Sequence, residues 1–272
     1  MSISVIVWGG LGNQLFQILT VISTAKEHKL QFLFKKDIDY FSRRKTYWNS
    51  FLKNLKPYTV DSIDYTTPFV FDTGDRDQYS LCPIPEKSLS PKDLYLLIGY
   101  FQSYKYFDHD FEYIYTLLGI DDFKRDLSSA YAPLLHTTNT IVSLHFRIGD
   151  YDKKDILGLD YYSTALSKLT GPHRIICFGE KENLYEIQDR VDALRRRFPT
   201  FEFLLADFDC EDWQQVVLMS LCRHNIIANS TFSYFGAYFN THKDKQVFYP
   251  DILKTECPES WTKIESLSPT TT

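Results

Sequence analysis

The sequence predicts an α/β protein built on parallel sheets, and three observations lead to this class. An apolar, β-branched run at Ile3–Trp8 is followed by a glycine-rich turn and by helical spacing of apolar residues over Asn13–Lys29. A second series of strands and helices begins near residue 140. Strands that alternate with helices of this length are typical of doubly wound sheets. We therefore predict two Rossmann-like halves that face each other across a cleft.

The first half contains further strands and a long stretch without clear periodicity. We predict a strand over Leu30–Phe34, directly after the first helix. Residues 37–93 are rich in Asp, Ser, Tyr and Pro, and we predict them to be irregular apart from a short helix near Tyr47–Leu55. A strand over Leu94–Tyr100 and a helix within Tyr104–Leu118 complete this half.

The second half alternates more regularly. We predict four strands and four helices, namely strands over 141–146, 174–178, 201–205 and 226–228 and helices over 161–169, 181–198, 211–224 and 232–240. The stretch Tyr131–Thr140 is the expected linker, which gives an N-terminal half at 1–135 and a C-terminal half at 136–272. We also consider that the last ~25 residues pack back on the first half.

Composition excludes some classes of function. A formal net charge of −5 argues against a general nucleic-acid binder, which carries a basic face. Aromatic residues make up 16% of the chain, and they serve either as packing or as platforms for sugars. With no secretory signal, no membrane-spanning run and an odd number of cysteines, we expect a cytoplasmic protein without stable membrane insertion. The oligomeric state stays open.

The glycine-rich turn at residues 9–14, GGLGNQ, allows two interpretations. A strand–turn–helix junction of this kind lets backbone N–H groups approach a ligand, or it is simply a tight turn. A dinucleotide fingerprint needs a third glycine and an acidic residue after the second strand. Leu15 stands in place of that glycine, and Lys35 and Lys36 follow the second strand. The pattern therefore disfavours a nicotinamide cofactor.

Charged residues follow the first predicted strand of the second half. Ligands of open α/β sheets bind at such strand ends. His145 and Arg147 project to the same side if the strand continues. The planar fork of an arginine suits a diphosphate, and Asp150 follows in the adjoining loop. The alternative is an Arg–Asp pair on the surface.

A polar turn lies between the strand at 226–228 and the following helix. It consists of Asn229, Ser230, Thr231, Phe232 and Ser233. Hydroxyl groups at a helix start either cap the helix or hydrogen-bond to phosphate oxygens beside the free N–H groups. Three hydroxyls and an amide within five residues favour a ligand.

Five segments together resemble one enzyme family. They are GGLGNQLFQ (9–17), GYFQSYKYF (99–107), HFRIGDY (145–151), LDYYSTAL (159–166) and MSLCRHNIIANSTFSYFGAYFN (219–240). In this order and spacing they are similar to the α-1,2-fucosyltransferases of glycosyltransferase family 11. The resemblance covers nearly the whole chain. It implies a GT-B fold, a GDP-sugar donor that is normally GDP-L-fucose, inversion at the anomeric carbon, and no metal or other cofactor.

The resemblance also implies roles for particular residues. The second half becomes the donor side, where Arg147 contacts the β-phosphate and His145 and the turn Asn229–Ser233 hold GDP. The first half becomes the acceptor side, and its sugar-facing residues are Gly10, Gly12, Asn13 and Gln14. The acceptor is expected to be a galactose-terminated glycan. Asp150 is either the base that takes the acceptor proton or a group that orients Arg147.

The sequence departs from the family motifs at two places, and three alternative functions stay open. Ile148 replaces the second arginine of the family motif, and Phe178-Gly179-Glu180 stands where many relatives have Ser-Asp-Asp. No role is assigned to Glu180. The alternatives are a transferase of another GDP-deoxysugar such as rhamnose, an NAD(P)-dependent oxidoreductase, and a non-catalytic GDP-sugar binding protein.

Overall fold

The computed structural model describes residues 1–37, 45–64, 68–73, 79–80, 93–149 and 155–266. The chain divides into two compact units. The first unit comprises Met1–Asp121 and Thr255–Cys257, and the second comprises Asp122–Lys254 and Pro258–Thr272. The division thus falls before the stretch expected to be the linker. Of the last part of the chain, only Thr255–Cys257 belongs to the first unit.

The first unit is built on a four-stranded parallel sheet with strand order β2-β1-β6-β5. Its strands are β1 (Ser2–Val5), β2 (Gln31–Phe32), β5 (Pro68–Asp72) and β6 (Leu94–Ile98), and a small separate sheet pairs β3 (Phe34–Lys35) with β4 (Thr59–Val60). Helix α1 (Leu11–His28) follows β1, and α2 (Phe111–Leu118) comes after β6. Leu15, Phe16 and Ile18 of α1 are fully buried, which makes α1 the central helix of this unit.

The predicted strand Leu30–Phe34 is divided in two. Its first part is β2 of the main sheet, whereas Phe34 belongs to β3. Phe34 is fully buried, and its ring stacks on Trp48 with centroids 5.4 Å apart. This aromatic packing directs the chain into the small sheet after Phe32.

Of the two predicted helices of the first unit, one is wrong in form and the other is confirmed in the second part of its stretch. The helix expected near Tyr47–Leu55 is a series of turns that leads into a 3₁₀ helix at Lys53–Tyr58, where Pro57 lacks the N–H that an α-helix needs. The helix expected within Tyr104–Leu118 begins with short 3₁₀ turns and becomes α-helical only as α2. β4 and β5 were missed because residues 37–93 show no apolar period.

The second unit is built on a six-stranded parallel sheet with strand order β12-β11-β10-β7-β8-β9. Its strands are β7 (Thr140–His145), β8 (His173–Phe178), β9 (Glu202–Leu205), β10 (His224–Ile226), β11 (Val247–Pro250) and β12 (Thr262–Ile264). Its helices are α3 (Ile120–Ala130, which starts at the division), α4 (Ala132–Leu135), α5 (Leu159–Ser167), α6 (Leu184–Arg197), α7 (Asp212–Leu221) and α8 (Thr231–Tyr238). The expected linker therefore contains α4 and the first residue of β7.

The core of the second unit lies between its sheet and the flanking helices. Val142 and Leu144 of β7 are fully buried, as is Ile187 of α6. Tyr161 and Tyr162 of α5 are buried too, and their hydroxyls donate to backbone carbonyls, to Ile227 O at 2.6 Å and His145 O at 3.1 Å. These bonds fix the backbone where β7 ends and beyond the end of β10. Among the helices described, none is long and apolar enough to cross a bilayer.

Candidate active site

The candidate site lies where the strand order of the second unit reverses. From β7 the chain continues to β8 and β9 on one side, and it then crosses to β10 on the other side of β7. The loops that leave β7 and β10 therefore diverge from neighbouring strands. Ligands of open parallel sheets bind outside the carboxyl ends of the strands at such a switch point. The two polar segments predicted from the sequence follow these two strands.

The loop after β7 places Arg147 at the strand end. Phe146 and Ile148 are buried in the core, whereas the Arg147 side chain is 15% exposed. Phe146 N still donates to Phe178 O at 2.9 Å, so the pairing with β8 extends one residue beyond β7. Ile148, which stands where the α-1,2-fucosyltransferase motif has its second arginine, is thus a core residue.

Arg147 forms an ion pair with Glu180. Arg147 Nη1 donates to Glu180 Oε1, and Asn183 Nδ2 lies 3.4 Å from Glu180 Oε2. A Cβ atom added at Gly149 would lie 2.3 Å from Glu180 Oε2, so this carboxylate rests against the loop backbone. The sequence assigned no role to Glu180, because its contact with Arg147 joins two loops that are far apart along the chain.

His145 is a neutral side chain in the interior of the site. It is 3% exposed, and its ring packs on Phe232 with centroids 5.6 Å apart. In the described part of the chain its Nδ1 atom has no hydrogen-bond partner. Burial lowers the pKa of His145 to about 3, and the positive charge of Arg147 acts in the same direction. The imidazole is therefore uncharged at neutral pH.

The turn after β10 uses two of its hydroxyls to build itself. Ser230 is the N-cap of α8, and its Oγ accepts from Phe232 N at 3.3 Å. Ser233 Oγ accepts from Ala228 N at 3.2 Å and donates to Ser230 O at 3.3 Å. Asn229 and Thr231 are partly exposed beside them. The structure thus brings His145, Phe232 and the polar turn together, with Ser230 and Ser233 in structural roles.

The first unit has its own reversal of strand order, between β1 and β6. The segment after β1 contains Gly9, which has a left-handed backbone with φ of 84°. Asn13 Oδ1 accepts from Gln102 Nε2 at 3.0 Å, which links α1 to the segment after β6. Trp8 packs edge-on against Tyr100 across the same point, with ring centroids 5.4 Å apart. Gln102 was not predicted as a partner because it is distant in sequence.

The other residues predicted to face a sugar differ in exposure. Gln14 is fully buried, and its Nε2 donates to Gly9 O and Lys45 O, both at 2.9 Å. Its side chain therefore ties the turn together from inside the unit. Gly10 is the N-cap residue of α1, and Gly12 is buried in the first turn. Asp150, the predicted base, and its neighbour Tyr151 lie outside the described residues.

One curated protein is similar to this chain over nearly its whole length. The chain is 26% identical to the O-antigen biosynthesis glycosyltransferase WbnK of Escherichia coli, over 89% of this chain and 91% of that protein. No family model matches the sequence.

Solved structures share the fold at low sequence identity. A glycosyltransferase family 9 protein from Veillonella parvula superposes with a TM-score of 0.52 at 10% identity, over 98% of this chain and 87% of its own. The NodZ alpha-1,6-fucosyltransferase from Bradyrhizobium, co-crystallised with GDP, gives 0.50 at 11% identity, over 86% and 91%. A mutant of Arabidopsis thaliana FUT1 in complex with GDP gives 0.50 at 10% identity, over 91% and 70%.

The sequence likeness to WbnK places the chain among the glycosyltransferases. The fold is of the GT-B type, with parallel α/β sheets as predicted. Within the described residues, no group of three or more His, Cys, Asp or Glu side chains could hold a metal ion.

Proposed function

We propose that this glycosyltransferase moves L-fucose from GDP-L-fucose to a hydroxyl of a glycan acceptor. The acceptor is a galactose-terminated glycan, the hydroxyl is the 2-OH of the galactose, and the configuration at the anomeric carbon inverts. Neither a metal nor another cofactor takes part. Support comes from the five segments that resemble the α-1,2-fucosyltransferases and from relatives of the same fold that were solved with GDP.

The observation that carries the proposal is the planar guanidinium of Arg147, which lies at the switch point of the second unit. Arg147 follows β7, two residues after the uncharged His145, whose ring packs on Phe232 in the first turn of α8. When the bond between fucose and GDP breaks, negative charge grows on the β-phosphate. The Arg147 guanidinium and N–H groups at the start of α8 can act as donors that stabilise this charge.

The acceptor hydroxyl must lose its proton as it attacks the sugar. By sequence position, Asp150 is the carboxylate that could accept this proton, or it orients Arg147. His145 is unsuited to proton transfer at neutral pH, because its pKa lies far below that range. An Asp150→Asn variant separates the two roles for Asp150. A base role predicts a large loss of turnover with a changed pH profile, and an orienting role predicts weaker donor binding.

The test of the whole proposal is a donor panel. GDP-L-fucose, GDP-rhamnose and GDP-mannose are each incubated with β-galactosides, and GDP release and the product linkage are measured with a chelator present. The proposal expects transfer from GDP-L-fucose alone, at the 2-OH of galactose, undiminished by the chelator. Preferred transfer from GDP-rhamnose, or a requirement for metal, contradicts it. NADPH binding in place of GDP binding would indicate an oxidoreductase.

A further inference from the structure

Arg147 already has an anionic partner in the same unit. Its Nη1 donates to Glu180 Oε1, and the two side chains are 15% and 37% exposed. Glu180 comes shortly after β8, and β8 is paired directly with β7. The pair therefore lies at the carboxyl ends of two neighbouring strands, at the place where the proposed function puts the diphosphate.

The Glu180 carboxylate resembles a phosphate in its contacts. An arginine fork binds carboxylate and phosphate oxygens with the same geometry. The second oxygen, Oε2, rests against the backbone of Gly149, because a Cβ atom added there would lie only 2.3 Å away. A phosphate group that binds Arg147 would meet the negative charge of Glu180 at close range.

We propose that Glu180 is an internal counter-ion of Arg147 and that the β-phosphate of the GDP-sugar displaces it. This inference rests on the proposed function, because it assumes that a diphosphate binds Arg147. The Glu180 side chain is the part that moves. Its backbone is fixed, since Asn183 N donates to Glu180 O at 3.0 Å, whereas its side chain is partly exposed and can turn to solvent.

The exchange has a consequence for affinity. Donor binding must break the pair of Arg147 and Glu180, and it leaves a carboxylate near the phosphates. Glu180 therefore weakens the binding of any ligand that carries a β-phosphate. A ligand without a β-phosphate does not compete for Arg147 and is insensitive to this carboxylate. Glu180 thus acts as a specificity-determining residue for the diphosphate.

The test compares Glu180→Gln with wild type by calorimetric titration of GDP and GMP. The amide keeps the size of the side chain and removes its charge. We expect GDP to bind roughly threefold to tenfold more tightly to this variant, and GMP to bind within about twofold of wild type. Glu182→Gln is the matched control, because Glu182 is an exposed acid two positions along the chain. It removes the same charge and should leave both affinities unchanged.

A double variant completes the test. In an Arg147→Ala background, Glu180→Gln should tighten GDP binding clearly less than in wild type, since no ion pair remains to be broken and only the repulsion between Glu180 and the phosphates is relieved. Unchanged or weaker GDP binding by Glu180→Gln, or an equal gain for GMP, overturns the role of Glu180. Failure of the wild-type protein to bind GDP overturns the proposed function as well. The two failures are therefore distinguishable.

Discussion

The two parallel sheets share a reversal of strand order, but the segments at the two reversals carry different chemistry. In the first unit the segments after β1 and β6 present amides and aromatic rings, among them Asn13, Gln102 and Trp8. In the second unit the segment after β7 presents an arginine, Arg147, whose carboxylate partner, Glu180, follows the adjacent strand β8. The loop that follows each strand, and not the sheet itself, sets the chemistry of each reversal.

This difference matches the needs of two kinds of ligand. Sugar hydroxyls are neutral, and amides and aromatic rings bind them without charge. A diphosphate carries charge and needs a cation with well-placed donors. The comparison agrees with the proposed function, in which the nucleotide binds the second unit and neutral sugar groups bind the first. Variants that affect one reversal without the other can break this assignment or sharpen it.

The largest effect is expected at the charged reversal. Arg147→Ala should lower kcat/KM by about 10²-fold or more, because a hydrogen bond to a charged group contributes about 1.5–3 kcal/mol and further charge stabilisation is lost with it. Arg147→Lys keeps the positive charge but loses the forked guanidinium, and its kcat/KM should lie between those of wild type and Arg147→Ala. Arg125→Ala, at a 70% exposed arginine, serves as the control. GDP-release assays give the rates, and full turnover by Arg147→Ala would refute the assignment.

At the first reversal, neighbouring glycines should differ in their effect on stability. Gly9→Ala should lower the free energy of unfolding by about 2 kcal/mol, because φ is 84° and the new Cβ would lie 2.8 Å from Asn13 Nδ2. Gly10→Ala is the matched control, since an added Cβ has no atom within 4 Å. Urea unfolding measures both variants. Equal urea midpoints for Gly9→Ala and Gly10→Ala would show that the backbone at Gly9 does not require a glycine.

Asn13→Ala should lower the rate of sugar transfer without changing the affinity for GDP. Loss of this amide removes about one hydrogen bond that stabilises the transition state, and the transfer rate should fall roughly tenfold. GDP affinity should stay unchanged, because the proposed function places the nucleotide in the second unit. Asn49→Ala, at an exposed position, is the control. If Asn13→Ala loses GDP affinity and transfer in parallel, the division of roles between the two reversals is wrong.

The smallest effect concerns an ion pair of the first unit that lies apart from its reversal. Asp110 is 7% exposed and accepts from Ser23 Oγ at 2.7 Å and from Lys26 Nζ. Burial raises the pKa of Asp110, but these hydrogen bonds and the nearby positive charges outweigh burial and leave the pKa below its usual value. Asp110 therefore stabilises the fold above the ordinary carboxylate pKa, and this contribution is lost as pH falls through the lowered value.

Asp110→Asn should accordingly cost about 1 kcal/mol of stability at neutral pH and leave GDP affinity intact. Its unfolding curves should depend less on pH in the acid range than those of wild type. Asp108→Asn, at an exposed acid on the same segment, is the control. Acid unfolding that is identical in wild type and Asp110→Asn would show that this pair does not support the fold.

Several elements could be predicted because their cause is local. Short apolar runs predicted β7, β8 and β9, and the helical spacing of apolar residues predicted α1 and α7. Other elements depend on distant partners. β5 has alternating intermediate and exposed residues, and its pairing with β6 makes it a strand. β11 and β12 likewise extend a sheet whose order cannot be read from local periodicity.

The sequence by itself determined the α/β class, the glycine-rich turn, and the polar segments that follow β7 and β10. These are consequences of short-range patterns, in which neighbours along the chain are neighbours in space. Only the tertiary structure decided that Ile148 lies in the core, that Gln14 is buried, and that Glu180 pairs with Arg147. Each of these depends on strand order and packing, which bring together residues whose distance along the chain carries no information about their contact.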